Sequence, residues 1–247
     1  MFLADTILFI DAEAIIVDKP AGLPVDPPRD GSLSIHNHLD SMRFGFRRVP
    51  HAVHRLDRDT SGCLLLARNP KALKRFGAAF EAGLVEKIYL AVLTGDPDGN
   101  EGLIDLPLAK ISSREEGWRM VVDPKGKSAR TGWTKLGVRQ GRALIAFRPE
   151  TGRTHQLRVH AVEGLGFPIA GDPVYGDGVG PMMLHASGLS LPREGKDAIA
   201  ATSPIPDRFI DAGFGPDVTG PDVAGAVVGS ATIGKPDAVA EPEPEDG

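Results

Sequence analysis

His54-Arg55-Leu56-Asp57-Arg58-Asp59-Thr60-Ser61-Gly62 runs without a break into Cys63-Leu64-Leu65-Leu66-Ala67. Charged and titratable side chains crowd around one leucine, the cluster closes with Thr-Ser-Gly, and an apolar run with the pattern of a buried strand follows. Such an order sets charged groups at the edge of a low-dielectric interior. Loops mounted on rigid strands are where binding and catalytic residues concentrate. Taken alone, the cluster reads as a solvated surface turn. A second cluster far along the chain, Thr151-Gly152-Arg153-Thr154-His155-Gln156-Leu157-Arg158-Val159-His160, reverses that preference and points to one site built from two segments.

The 247 residues are 41% hydrophobic and 25% charged, ordinary values for a globular chain able to bury a proper core. Cys63 is the single cysteine, which excludes an intramolecular disulfide framework and suits a reducing compartment. No apolar run approaches the length of a membrane span, and Met1-Phe2-Leu3-Ala4-Asp5 lacks the basic and apolar regions of a secretory signal. A cytoplasmic location, with no membrane partner, is expected. The net charge of −5 is uneven: residues 216–247 hold seven acids and one base, so the remainder is close to neutral. Within that remainder Arg43, Arg47, Arg48, Arg55 and Arg58 cluster, with Phe44 and Phe46 between them, a pattern suited to nucleic acid.

Along the chain, Ile7–Val17 reads as two short strands joined at Asp11-Ala12-Glu13, and Ser34–Asp40 as a short helix. Asn69-Pro70 supplies an N-cap and a proline at the first helical position, Leu73, Phe76 and Phe80 recur at helical spacing, and Gly83 stops the helix. Strands are expected at Lys87–Leu93, Arg119–Val122, Ala129–Val138 and Ala143–Arg148. A helix over His155–Glu163 is capped by Gly164, and Met182–Leu191 is the last core strand. The expected fold class is α+β, with one domain over 1–212. Residues 213–247, rich in Gly, Pro, Ala and acid, read as a disordered tail.

Asp57 is the candidate nucleophile or base, because a carboxylate is already anionic at neutral pH. Arg158, on the expected helix, is a candidate for keeping it ionised, and Tyr89 offers a flat ring with a polar tip for a base. Competing chemistries lack their motifs. His155 and His160 are five apart and off one helical face, and no His-Glu-x-x-His or Cys-x-x-Cys occurs, so no metal is expected. Gly-x-Ser-x-Gly and a P-loop are absent, so neither a hydrolase elbow nor a nucleotide cofactor is indicated.

Five segments in register carry a resemblance. They are Asp18-Lys19-Pro20-Ala21-Gly22-Leu23, the stretch from His54 to Gly62, Lys87-Ile88-Tyr89-Leu90-Ala91, the stretch from Gly152 to His160, and Pro168-Ile169-Ala170-Gly171-Asp172 with Tyr175-Gly176 and Leu184-His185-Ala186. Together the chain resembles the RluA-type pseudouridine synthases, which isomerise uridines in RNA. The resemblance implies a curved, mostly antiparallel mixed sheet in two halves, flanked by helices around a central RNA cleft. It makes Asp57 the catalytic aspartate, Tyr89 the residue stacking on the base, and Arg158 the partner of Asp57. Arg55 would enter the space left by the flipped uridine, and Leu157 would line the pocket. His54, Arg58, Thr60, Arg153 and His155 are expected to contact RNA. It implies no cofactor, a monomer, and ribosomal (large-subunit) or transfer RNA as partner, without the S4 module that some relatives carry. The competing expectation is a catalytically silent RNA-binding or RNA-folding protein on the same scaffold.

Overall fold

A computed structural model describes residues 3–113 and 117–215. The acidic segment 216–247, expected to be a tail, lies outside the described residues. In chain order the strands are β1 (Ile7–Ile10), β2 (Ala14–Lys19), β3 (His51–Ala52), β4 (Ser61–Ala67), β5 (Glu86–Leu93), β6 (Glu101–Asp105), β7 (Leu108–Ser113), β8 (Gly117–Val122), β9 (Arg130–Arg139), β10 (Arg142–Pro149), β11 (Leu184–Arg193) and β12 (Lys196–Thr202). Among the described residues, three α-helices join them: α1 (Pro70–Glu81), α2 (Gln156–Leu165) and α3 (Asp207–Asp211).

Ten strands form one sheet in the order β1-β2-β4-β11-β5-β10-β9-β6, with β12 beside β11 and β3 beside β4. All its pairings among the described residues are antiparallel except β11 with β4, which meet in parallel at His185–Ser61 and Ala186–Gly62. That seam divides the sheet. On one side, β2 and β4 are buried on both faces, and their side chains obey the period of two. Ile15, Val17, Leu64 and Leu66 enter one core with Met42, whereas Ala14, Ile16, Cys63 and Leu65 enter another with Phe76. On the other side, β5, β9, β10 and β11 share a third core with Leu157, Ala161, Phe209 and Phe214. Tyr89 packs against cores on both sides.

Local chemistry explains the elements. The Asp11 carboxylate accepts the Glu13 and Ala14 amides at 2.7 and 2.8 Å, which closes the β1–β2 hairpin. Asn69 caps α1 by accepting the Ala72 amide at 2.9 Å, with Pro70 in the first turn, and Ala72 and Phe76 anchor the helix. The β7–β8 hairpin forms a separate two-stranded sheet that lays Leu108 and Met120 against Val159 of α2.

Four expectations need correction. The segment Ser34–Asp40 forms two 3-10 turns, Ile35–His38 and Asp40–Met42, in place of one helix. His155 precedes α2 in a left-handed conformation, and the helix ends at Gly166 (φ 79°), not Gly164. Gly164 serves packing: a Cβ there would press on the Ile104 side chain. Strand β11 is not the last, because β12 and α3 follow, and the Ala-rich β12 carries little β-branched signal. The packed body also runs past residue 212, since Phe214 is fully buried in the third core.

Phe214→Ala should therefore behave as a core truncation, costing about 3–5 kcal/mol. Urea unfolding measures this; an unchanged midpoint would return Phe214 to the dispensable segment.

Candidate active site

A cleft of about 420 Å³ opens between the two clusters read from the sequence. Asp57, Tyr89, Arg158, Arg55, His54, Leu157, Thr60, Arg153 and His155 all line it. Arg58 does not; it turns to solvent and pairs with Asp59 at 3.0 Å.

Asp57 lies in the loop between β3 and β4. Leu56 beneath it is buried in the core, and the Thr60 amide donates to the Asp57 carbonyl at 3.2 Å, so the loop turns tightly with Asp57 half-exposed. A residue without an assigned role in the sequence reading holds this loop from behind. Lys19 at the end of β2 is fully buried. Its Nζ donates to the carbonyls of Pro20 (2.8 Å), Leu23 (2.7 Å) and Arg58 (3.0 Å). Three donors thus meet three acceptors, and the Lys-Pro-Ala-Gly segment is tied to the loop that carries Asp57. Burial pushes the Lys19 ammonium down to about 8, against the pull of Asp59 and Asp57. Where the loop enters β4, Gly62 (φ 108°) touches the Ala186 backbone so closely that any Cβ would overlap it.

Arg158 comes from the first turn of α2. Its Nε and Nη2 donate to the two carboxylate oxygens of Asp172 at 2.7 and 2.6 Å, and its Nη1 donates to Asp57 Oδ2 at 3.2 Å. Asp172 is completely buried. Burial opposes its charge, but the Arg158 hydrogen bonds and charge, with the Val174 and Tyr175 amides, outweigh that and hold its carboxyl below the usual range. In the sequence Asp172 stands only within a segment that carries the resemblance, with no partner assigned. Its visible signal was an acid after Pro168-Ile169-Ala170-Gly171, an apolar stretch where an ionised group needs a counterion.

The preceding loop is fastened by Gln156, whose amide is fully used. Its Nε2 donates to Arg130 O and Thr131 Oγ1, and its Oε1 accepts from Thr151 Oγ1 and the Arg153 amide. His155 Nδ1 lies 3.0 Å from the Tyr175 hydroxyl, and its Nε2 stands 3.8 Å from Asp57 Oδ2. Tyr89 on β5 pairs across the ladder with Phe147, and burial raises its hydroxyl pKa, so the ring remains a neutral phenol.

His54 has an internal duty as well as a cleft-lining edge. Its Nε2 accepts the Leu65 amide at 3.0 Å and its ring stacks on Phe80 at 4.7 Å. Burial, aided by Lys87, pushes His54 down to about 3, so it meets a ligand as a neutral ring. The arginine cluster is partly self-neutralised: Arg43 pairs with Asp40 at 2.7 Å and Arg55 with Asp26 at 3.2 Å. Arg47 and Arg48 stay exposed, beside exposed Phe44 and Phe46.

The chain was compared with known proteins. A family model described as RNA pseudouridylate synthase matches residues 13–163. An uncharacterized RNA pseudouridine synthase of Zymomonas mobilis is 61% identical over 86% of this chain and 99% of its own length. The ribosomal large subunit pseudouridine synthase D of the same organism is 37% identical, over 69% of this chain but 55% of its own length. Among solved structures, human RNA pseudouridylate synthase domain containing 4 superposes with a TM-score of 0.73 at 26% identity, covering 85% of this chain and 92% of that one.

Asp172→Asn should destabilise the fold by about 3–5 kcal/mol, because it removes the two-point partner of the buried Arg158 charge and leaves it the single Asp57 contact. Urea unfolding at neutral pH tests it, and a loss below about 1 kcal/mol, the scale of a surface pair, would contradict it. A second expectation concerns acid. Burial holds His54 near about 3 and His185 near about 4, below the ordinary imidazole value. The unfolded chain therefore takes up protons first, and the stability present above pH ~6.5 is lost as pH falls toward 4. A urea midpoint that stays flat between pH 7 and 4 would refute this.

Proposed function

The chain belongs to the RNA pseudouridylate synthase family, and we propose that it isomerises uridines of large-subunit ribosomal RNA with Asp57 as the reacting carboxylate. The carrying observation is the chain of contacts Asp172–Arg158–Asp57 on the floor of a cleft that Tyr89 also lines. The choice of RNA leans on the large-subunit synthase 37% identical to this chain. A transfer-RNA stem-loop is the competing substrate.

A uridine in folded RNA has to leave its stack before its glycosidic bond is accessible, which costs a few kcal/mol. Exposed Arg55 is available to fill the vacated space once it leaves Asp26. Stacking on Tyr89 returns about 1–3 kcal/mol. Asp57 then attacks ribose C1′ or removes a sugar proton; either route breaks the N1–C1′ bond. The detached uracil turns in place and its C5 bonds to C1′, which releases the Asp57 carboxylate on the first route or is accompanied by return of the sugar proton from Asp57 on the second; the C5 proton then leaves to water, and N1 takes up a proton. Because Asp172 occupies two of the three Arg158 nitrogens, Arg158 touches Asp57 with Nη1 alone. That single contact orients the carboxylate without engaging it in a two-point ion pair.

Tritium release from RNA labelled at uridine C5 tests the proposal, with ribosomal and transfer RNA assayed separately. Release from ribosomal RNA by the wild type, abolished in Asp57→Ala with RNA binding retained, is the expected result. Release from transfer RNA alone would overturn the substrate. Binding without release from either pool would favour a silent RNA-binding protein.

A further inference from the structure

We propose that His155 acts as a neutral hydrogen-bond donor to the target nucleotide, presenting Nε2–H beside Asp57 while Tyr175 holds Nδ1 as an acceptor. This deepens the proposed function and rests on it for the identity of the ligand.

The Tyr175 oxygen already accepts the Met120 amide at 2.9 Å. Its hydroxyl proton has His155 Nδ1 within reach at 3.0 Å, and donation to that nitrogen is the arrangement proposed. A neutral imidazole carries a single N–H, so acceptance at Nδ1 places that proton on Nε2. Nε2 is 3.8 Å from Asp57 Oδ2, too far for a hydrogen bond to that oxygen. It is near enough that both groups reach the same nucleotide. The natural acceptor is an oxygen close to the glycosidic bond, the uracil O2 or the ribose 2′-hydroxyl. A donor fixed where charge develops stabilises the departing base without reorganising.

Two further features fit a ring held for a purpose. His155 adopts φ 53°, ψ 18°, a left-handed conformation uncommon outside glycine, in which His is found more often than most other side chains. Strain of this kind, about 1–3 kcal/mol, gathers where the surrounding structure dictates geometry for function. The ring is also clamped: Trp118 of the β7–β8 hairpin lies over it at 4.9 Å, and the Tyr175 ring meets it edge-on at 5.6 Å. Burial disfavours protonation of the imidazole most, Arg158 and Arg55 reinforce that, and Asp57 and Asp172 oppose it, with a net lowering. A neutral ring leaves the Asp57 charge to the substrate, whereas an imidazolium would neutralise it.

The tautomer is read in the free protein by two-bond proton–nitrogen correlation spectra, with His155→Gln identifying the His155 signals among the seven histidines. Nε2-protonated signals at pH 7 to 8 are expected, and a mixture of tautomers in Tyr175→Phe. An Nδ1–H tautomer or an imidazolium at pH 7 would overturn the assignment, whatever the enzyme's activity. In single-turnover assays, His155→Phe should slow isomerisation about 100-fold, the loss typical of one such donor, with RNA affinity unchanged. His155→Gln, which restores an N–H at similar reach, should recover part of the rate. An unaltered rate in His155→Phe would remove the donor role. Absence of isomerisation in the wild type would instead defeat the proposed function and leave the spectral result standing.

Discussion

The floor of the cleft depends on the buried pairing of Arg158 with Asp172. Neither charge is tolerable alone at that depth. Both are satisfied because the guanidinium matches the carboxylate at two points and the turn beyond Asp172 adds two amide donors. The turn is set in place by Gly171 (φ 72°), packed so tightly against the Pro181 backbone that a side chain would overlap it. Geometry therefore passes from a glycine turn to Asp172, from Asp172 to Arg158, and from Arg158 to Asp57. The same turn carries Tyr175, which reaches Met120 and His155. One short segment disposes two groups around the Asp57 carboxylate.

A second buried cation holds the opposite wall. Lys19 distributes its three donors among backbone carbonyls and fixes the loop that carries Asp57, where Arg158 fixes the side chain itself. The difference follows from shape: a compact ammonium suits carbonyls converging from several directions, whereas a planar fork suits one carboxylate. Between the two walls the parallel contact of β4 with β11 sets the spacing, and Gly62 allows the strands to approach.

Much of this was legible in the residues. Asp57, Arg158 and Tyr89 stood in motifs whose residue types already suggested a site, and the cleft brings them together. The Asn69-Pro70 start of α1 and the buried alternation in β2 and β4 followed from local rules that the long-range fold did not override. What could not be read were partnerships across distance. Nothing local to Asp172 names Arg158, and nothing in a Lys-Pro dipeptide announces three carbonyls converging on Nζ. Gly164 and Gly166 show the same limit: both fit a helix terminus, and only the presence of Ile104 assigns one to packing and the other to the cap. His54 was legible as part of the site but not as the acceptor for a strand amide.

The position of β11 in the order of synthesis has its own consequence. It is the central strand of the seam, yet it comes late among the described residues and joins β4 through residues 124 apart, such as Ser61 and His185. Arg208, later still, reaches Ser61 and the Leu184 carbonyl, and Phe214 closes a core. Pairing at such separation is slow, because loop-closure entropy is met before the contacts return it. While the polypeptide is emerging, its first hairpin and α1 can form, but the two walls of the cleft have no common strand to face each other across. Catalytic competence thus arrives late and all at once, so a ribosome-bound fragment lacking β11 holds the Asp57 motif but not a working site.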